Sequence, residues 1–576
     1  MSKTYAIAKM KFIDVSALSD AAVSTTDNQS IGNIGLFQKE NEQDPYGTLE
    51  LNQFVLDGSK SIPPETPADI AFWSEEKSSA DTIFSTHPEI EISFTQQHSS
   101  AGITLYFADD YPTEIVITWY TISGTKIDSK TFNPDSMIYV CRNQVENYGK
   151  IVIEFVRTRL PERYVKLQYI LYGLDLSWKD DIVQKAKVQE EVDLTSGTLS
   201  INTADISILD EENDFDIGNM NGAWKSVQKG QEVTLTEYKN GKAIPAGTFF
   251  IDKSSFKDNV ASFSLIDRIG LMDKYTFYDG DVYNNVLAGK ILENIFACAG
   301  VSKYVIDDEI YNIQLSGHLP IQTCRAALQM VCFACGAIAD DSRSDTVKVY
   351  KPDRYVKATI GTDRKFFGGT NVTLDEYVSG ISIECNRYSL ETESTEIYND
   401  VLPAGDTKIE FTEPYLSSSI DVSAGTLKEA KTNYVIVTME EAGTCLISGI
   451  KYASSSFSFQ KNVQFIAAGE VENVKKFGTC TIHNVALLPD NAQYLLDYYA
   501  LRKKLSMKYL LDLEQSGNLV NVNDRERRTS TTIIEKQTLD LTGGFVAQAM
   551  CRGYSIVVTE NYFTGTELYA GGGVLL

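Results

Sequence analysis

Glu232-Val233-Thr234-Leu235-Thr236-Glu237-Tyr238, then Asn240-Gly241, then Gly247-Thr248-Phe249-Phe250-Ile251-Asp252: β-branched and aromatic residues on either side of an Asn-Gly pair describe a strand, a tight turn and a returning strand. A lone two-stranded ribbon is marginal in water, so these strands need partners. Thr198-Leu199-Ser200-Ile201 and Asp205-Ile206-Ser207-Ile208-Leu209-Asp210 read as further strands just upstream. The N-terminal segment can supply another. The long stretch between would then be an insertion into a first barrel, which chains tolerate at exposed loop tips whose ends lie close together.

Composition agrees with a strand-rich chain. The 576 residues include 31 Tyr and 26 Phe, and 11% of the chain is aromatic, which suits pleated, half-buried surfaces. That length implies roughly three to five domains, each able to bury its own core. All-β or α+β is the expected class.

The first segment ends near Ser59, and the three prolines of Ile62-Pro63-Pro64-Glu65-Thr66-Pro67 cannot join a central sheet, so a boundary falls there. Residues 89–94, 103–107, 114–120, 151–155 and 164–170 then read as successive strands, separated by turn signals such as Ser123-Gly124 and Asn147-Tyr148-Gly149. This spacing predicts an antiparallel jelly-roll sandwich between residues 68 and 173. Helical spacing over 284–299 and 319–335, the latter closed by Gly336, followed by a hairpin over 337–350, predicts a small α+β domain. Beyond it the chain reads as strands again, interrupted by one helix that starts at Pro489-Asp490-Asn491 and carries Tyr494, Leu495, Tyr498, Tyr499 and Leu501 as its apolar stripe. The Ser- and Thr-rich region 396–475 is either a separate module or an elaborated loop.

The formal net charge is −26, so the overall field repels a nucleic-acid backbone and no stable nucleic-acid binding is expected. The same acidity favours solubility. The N-terminus lacks the apolar core and cleavage site of a secretory signal, and no apolar window is long enough to cross a bilayer. Synthesis as a soluble chain in a cytoplasm is expected. The nine cysteines are scattered and odd in number, unlike a disulfide framework. Cys332-Phe333-Ala334-Cys335 sits inside an apolar run and reads as helix core rather than a metal or redox motif.

No catalytic motif is legible. His87, His98, His318 and His483 fall in no metal-ligand spacing, and loop or edge positions account for them. Phosphate-cradling and nucleophile-elbow sequences are lacking. Asp109-Asp110, Glu190-Glu191, Glu211-Glu212 and Asp340-Asp341 read as solvated charges at turns or sheet edges rather than as glycosidase pairs. No catalytic residue, cofactor or metal ligand is assigned. The sandwich does hold aromatics that could stack on sugar rings, with Trp73, Tyr106 and Tyr120 as the possible glycan contacts. Trp119 shares a face with Ile115 and Ile117 and is expected in the core.

Gly317-His318-Leu319-Pro320-Ile321-Gln322-Thr323-Cys324-Arg325-Ala326-Ala327-Leu328-Gln329, followed by Gly336-Ala337-Ile338-Ala339-Asp340-Asp341-Ser342-Arg343-Ser344 and Val347-Lys348-Val349-Tyr350, resembles the tail hub proteins of phages and phage-derived tails of Gram-positive bacteria. Ile533-Ile534-Glu535-Lys536-Gln537-Thr538-Leu539-Asp540-Leu541-Thr542-Gly543-Gly544-Phe545-Val546-Ala547 looks like the closing segment of that family. Leu49-Glu50-Leu51-Asn52-Gln53-Phe54-Val55-Leu56-Asp57-Gly58 and Ser99-Ser100-Ala101-Gly102-Ile103-Thr104-Leu105 are similar to it as well. None of these strings is a catalytic signature; their common order along the chain carries the resemblance.

The resemblance implies a β-rich α+β, multidomain fold. Its expected parts are a first, discontinuous hub barrel (1–60 plus 174–275), an inserted jelly-roll β-sandwich resembling carbohydrate-binding modules (61–173), a small α+β domain (276–355) and a second hub barrel (356–576) elaborated over 396–475. It implies a structural, non-enzymatic homotrimer in a virion tail baseplate or phage-tail-like particle. Two barrels per subunit would form a pseudo-sixfold ring that lines the central channel and joins the sixfold tail tube, or a distal tail protein, to the threefold spike or tip. Baseplate wedge proteins and a tape-measure protein are the further implied partners. Ring closure would remove the exposed sheet edges that so many strands create. The chain ends at Ala570-Gly571-Gly572-Gly573-Val574-Leu575-Leu576, which is expected to leave no room for the peptidoglycan-degrading extension of some family members. The rival readings are a cell-surface carbohydrate-binding adhesin, with the sandwich as its working part, and a cell-wall hydrolase.

Overall fold

The computed structural model describes residues 4–25, 47, 48, 50, 51, 57–60, 71–179, 182–211, 213–216, 218, 219, 224, 227–352, 355–523, 529–542 and 544–556. The proline-rich boundary at 62–67, most of the 49–58 string and the C-terminal residues 557–576 lie outside them.

The Asn-Gly turn has positive φ at both central residues, 54° at Asn240 and 80° at Gly241, and it pairs Lys239 with Lys242 at the start of an antiparallel ladder. The hairpin's partner is the N-terminal strand Thr4–Ile13, which lies between Glu232–Lys239 on one side and Gly173–Trp178 on the other. Ala6, Ala8, Met10 and Phe12 alternate inward along it and are 1–2% exposed, as a strand with one buried face requires.

From there the pairing runs outward through Lys242–Lys257, Val260–Ile266, Thr203–Leu209 and Val183–Glu191. The last of these pairs with Thr529–Asp540, placing Val188 opposite Leu539. Val546–Ile556, Lys503–Leu510 and Lys365–Leu374 follow, and Leu519–Asn523 and Val356–Ile360 branch from Thr529–Asp540. The result is one 13-stranded sheet, not the expected pair of separately closed barrels, and no pairing among the described residues joins its two ends. The reason lies in Val183–Glu191: both of its edges are taken, one by each half of the chain. The two halves therefore merge into a sheet over a single apolar core that includes Phe12, Val188, Phe263, Tyr509, Ile534 and Ala549.

Residues 72–171 contribute to a separate seven-stranded sheet that also takes in Ala22–Thr25. Instead of two separate sheets, it has two very long strands, Glu89–Phe107 and Ile138–Thr158, whose mutual register shifts three times between Ser93 and Gly102. Both sides of that irregularity, Ile90 and Ile92 as well as Ile103 and Leu105, join one buried cluster. Trp119 lies fully buried there with Ile115 and Ile117.

In the α+β region the first helix is Ala288–Cys298, shorter than its spacing suggests, because Val282–Leu287 pairs as a strand with Gln314–His318. The second helix starts at Cys324, where the Thr323 hydroxyl accepts from the Ala326 N–H at 3.2 Å, and ends at Gly336 with φ 61° and ψ 35°. Cys332 and Cys335 are both buried. The late helix is Leu488–Ala500, with its proline in the first turn and with Leu495 and Leu496 buried.

Residues 380–462 form an arm. Gly380–Leu402 and Gly443–Asn462, 23 and 20 residues long, pair along their length. At its far end a three-stranded sheet of Gly405–Glu410, Tyr434–Met439 and Thr426–Ala430 packs a core of its own, including Leu402, Val435, Val437, Cys445 and Ile447. The region 396–475 thus spans the outer part of the arm, its tip sheet and the start of Val474–Cys480, the strand that pairs with Gly380–Leu402 at the arm's base.

Candidate functional site

Three regions of the molecule could do work: the joint between the two halves, the cleft beside the inserted sandwich, and the open edge of the large sheet.

The joint is built on Glu190. It falls on the inward side of its strand with Ala186 and Val188, and it is 1% exposed. A carboxylate so placed needs partners. Arg343, from the turn of the α+β hairpin, donates to it through Nε at 2.5 Å and Nη2 at 3.3 Å, while Gln537 Nε2 donates from the other half at 2.6 Å. Arg343 Nη2 and Gln537 Nε2 also both donate to Glu514 O, at 2.7 and 3.0 Å. Glu514 in turn takes a two-pronged contact from Arg364 at 2.6 and 2.9 Å. Strands from both halves and the α+β domain therefore meet in one buried polar network.

Beside it lies a second buried cluster. Asp341 accepts from Asn202 Nδ2 and from the Arg268 N–H, both at 3.0 Å, and Asp267 accepts from Gly270 N–H at 2.6 Å. Burial, and then the neighbouring carboxylate, push the Asp267 carboxyl well above its usual range. Asp341 is raised as well, first by burial. Glu190 and Asp341 are therefore not the solvated turn charges expected from the sequence. The hairpin turn carrying Asp341 packs against the large sheet instead of facing water. For Glu190 the signal was present, since period-two alternation from Ala186 already places it inward.

The cleft between the sandwich and the first half of the sheet has a volume of about 910 Å³ and is lined by Lys9, Lys11, Tyr106, Tyr169, Asp175 and Tyr238 among others. Tyr106 donates its hydroxyl to Asp175 and packs against Tyr169 with ring centroids 5.3 Å apart. Of the three aromatics singled out from the sequence, only Tyr106 lines this cleft. Trp73 is 6% exposed and stacks on Tyr164 at 6.4 Å under the Lys166 ammonium. Tyr120 is paired with Lys126 and Lys150, the latter sitting 5.6 Å above its ring. Tyr106 lies opposite Ile138 and Tyr120 opposite Lys150, well separated along the same strand. The three do not form one platform.

His87 lies in a loop and His483 on a short edge strand, as expected, whereas His98 and His318 sit within paired strands. His98 is 4% exposed and bridges Asp14 and Asp20 at 2.9 Å each, tying the helix Val15–Asp20 to the sandwich. His318 and His483 are also buried. Among the described residues no group of three or more His, Cys, Asp or Glu side chains is gathered as a metal site, and no helix is long and apolar enough to cross a membrane.

The sheet's main path has two unequal ends, and its branch ends at Val356–Ile360, which pairs only with Leu519–Asn523 among the described residues. The end strand Gly173–Trp178 is covered by the sandwich, where Thr104 Oγ1 donates to Gly173 O at 2.9 Å and accepts from Asp175 N–H at 3.0 Å. The opposite end strand, Lys365–Leu374, pairs only with Lys503–Leu510 among the described residues. Phe366, Val372 and Leu374 on it are 40%, 49% and 73% exposed.

No protein-family model matches the chain, and no curated protein matches it. Among solved structures it is similar to a tail protein from Neisseria meningitidis MC58, with TM-score 0.40 and 11% identity over 66% of this chain and 93% of that one. It is similar as well to the 43 kDa tail protein of prophage MuSo2 from Shewanella oneidensis, with TM-score 0.37 and 10% identity over 65% and 93% of the two chains. A third is the E. coli c3393 protein, a component of the type VI secretion system, with TM-score 0.33 and 9% identity over 65% and 74%.

Proposed function

We propose that this chain is a structural tail or baseplate hub subunit that works by assembly geometry and not by catalysis. The observation that carries the reading is the uneven 13-stranded sheet, with one end capped by the inserted sandwich and the other an exposed strand bearing Phe366, Val372 and Leu374. An open, apolar sheet edge is a pairing template. Where the open edge of one copy meets a different surface of the next, the contact is head-to-tail, and such contacts either close into a ring or propagate into a filament. A threefold ring of chains, each presenting two related halves of one sheet, adapts a sixfold tube to a threefold spike or tip. The resemblance of the ordered sequence strings to tail hubs supplies the number three, the baseplate location and the partners: tube or distal tail protein, spike or tip, wedge proteins and a tape-measure protein. The net charge of −26 suits a channel wall to which DNA does not adhere.

Light scattering and electron microscopy on the purified full-length chain test this, alone and with its tail-tube protein. Threefold rings are expected. A chain that stays monomeric alone and fails to form rings on the tube overturns the proposal.

The cleft beside Tyr106 favours a second reading, a carbohydrate-binding role for the sandwich, since its size lies within the range of ligand pockets. A glycan array with the full-length protein and with Tyr106→Ala decides it. Binding lost in the variant supports a sugar site there, and no glycan retained by the unaltered protein removes it.

A further inference from the structure

All nine cysteines are free thiols, yet two that lie far apart in sequence are neighbours in space. Cys385, near the base of the arm strand Gly380–Leu402, is the register partner of Cys480 at the end of the strand Val474–Cys480. Paired strands run about 4.8 Å apart, within the 4.4–6.8 Å of Cα separation that a disulfide spans. The strand Val474–Cys480 carries one extra residue just before this pair, which brings Cys480 opposite Cys385. The Cys480 thiol itself donates to Gly478 O at 3.5 Å. Cys385 is fully buried in the core beneath the helix Leu488–Ala500, whereas Cys480 lines a cleft of about 180 Å³ together with Met330, Phe333 and Phe477. A water-sized reagent therefore has a path to one sulfur and, through it, to the other.

We infer that Cys385 and Cys480 form an oxidation site, a disulfide staple that closes across the base of the arm after the chain has folded. The oxidant is a peroxide. One sulfur of the pair, as thiolate, attacks hydrogen peroxide, breaks its O–O bond and becomes a sulfenic acid as hydroxide leaves. The second sulfur then displaces the sulfenic oxygen as water, and the S–S bond forms. Two thiols and one hydrogen peroxide give one disulfide and two waters, with the sulfurs oxidised and the peroxide oxygens reduced. Cys480, the sulfur that lines the cleft, meets the peroxide first, and Cys385 is the one that closes the bond.

The staple's effect follows from what it encloses. Residues 386–479 contain the whole of the stem beyond its base and the whole tip module. In a reducing cytoplasm the base of the arm is held by strand pairing and packing alone; in an oxidising medium it becomes covalent.

The test uses the folded full-length protein, reduced, freed of reductant and treated with hydrogen peroxide, then digested without reductant for mass spectrometry. The expected product is a Cys385 peptide joined to a Cys480 peptide, two hydrogens lighter than their sum. Nicking the oxidised chain within 386–479 should leave its pieces joined on a gel until reductant is added. Cys385→Ser should abolish the cross-link and leave Cys480, on the cleft, open to a sulfenic-acid trap. Recovery of both peptides unlinked from peroxide-treated folded protein, or a link that forms only in denaturant, overturns the inference.

Discussion

Asn433 and His318, 115 residues apart, are locked together by a 2.6 Å hydrogen bond that seats the tip module on the α+β domain. The amide orientation is fixed by its nitrogen, which donates to Gly280 O and Leu319 O, both at 3.0 Å. Asn433 Oδ1 must then accept, so His318 carries its hydrogen on Nε2. Burial lowers the His318 pKa and keeps the ring neutral for that task. Gly280 makes the approach possible, since a Cβ there would run into Leu319 O and the Asn433 amide.

Asn433→Ala should therefore loosen the tip module without unfolding the sheet. It leaves two backbone carbonyls and an imidazole N–H without their partner, at a cost of about 1–3 kcal/mol. Hydrogen exchange should rise along Tyr434–Met439 and Gly405–Glu410 and stay unchanged along Thr529–Asp540. Unchanged exchange in the tip strands would show that the stem alone positions it.

The strands of the large sheet were legible because a half-buried strand writes its alternation into the sequence, as Ala6, Ala8, Met10 and Phe12 do, and because Asn240-Gly241 dictates its turn. How those strands combine was not legible. Whether Val183–Glu191 closes a ring or bridges to Thr529–Asp540 depends on a pairing more than 300 residues away, which no local pattern encodes. Polar contacts failed for the same reason. Asp341 and Arg343 sit in a string that looks like an ordinary turn, and only the packed sheet shows that their partners are Asn202 and Glu190.

Arg343→Ala tests the joint. It removes the cation from a carboxylate that is 1% exposed, and breaking one side of a buried pair costs about 3–5 kcal/mol. The denaturation midpoint should fall markedly. Arg364→Ala should cost less, because its side chain is 23% exposed and water can replace part of the contact to Glu514. Equal effects from the two variants would contradict the central place given to Glu190.

The open edge makes a separate demand. Val372→Lys with Leu374→Lys places two charges on side chains that are 49% and 73% exposed, so stability should change by no more than about 0.5 kcal/mol for each. Association between copies should be lost, because lysines on an edge strand oppose pairing with another chain. Light scattering on the variant checks this, and undiminished assembly would move the interface elsewhere.

Burial, only partly offset by Ser342, raises the Asp340 carboxyl from 3.8 to about 6, and the nearby Asp341 and Glu190 carboxylates add to the rise. The folded state thus holds a proton that the unfolded chain has already released. The stabilisation tied to that proton is fully present below about pH 4 and is lost as pH climbs through about 6, an effect of about 2–3 kcal/mol. Asp340→Asn keeps a carbonyl oxygen to accept from the Ser342 N–H and hydroxyl, which now reach Asp340 Oδ1 at 3.0 and 2.6 Å, but it cannot ionise. Its stability should match the unaltered protein near pH 4 and exceed it at pH 8, as measured by denaturant midpoints at the two pH values. A variant that is equally destabilised at both would mean that the Asp340 carboxylate serves the fold in its charged form.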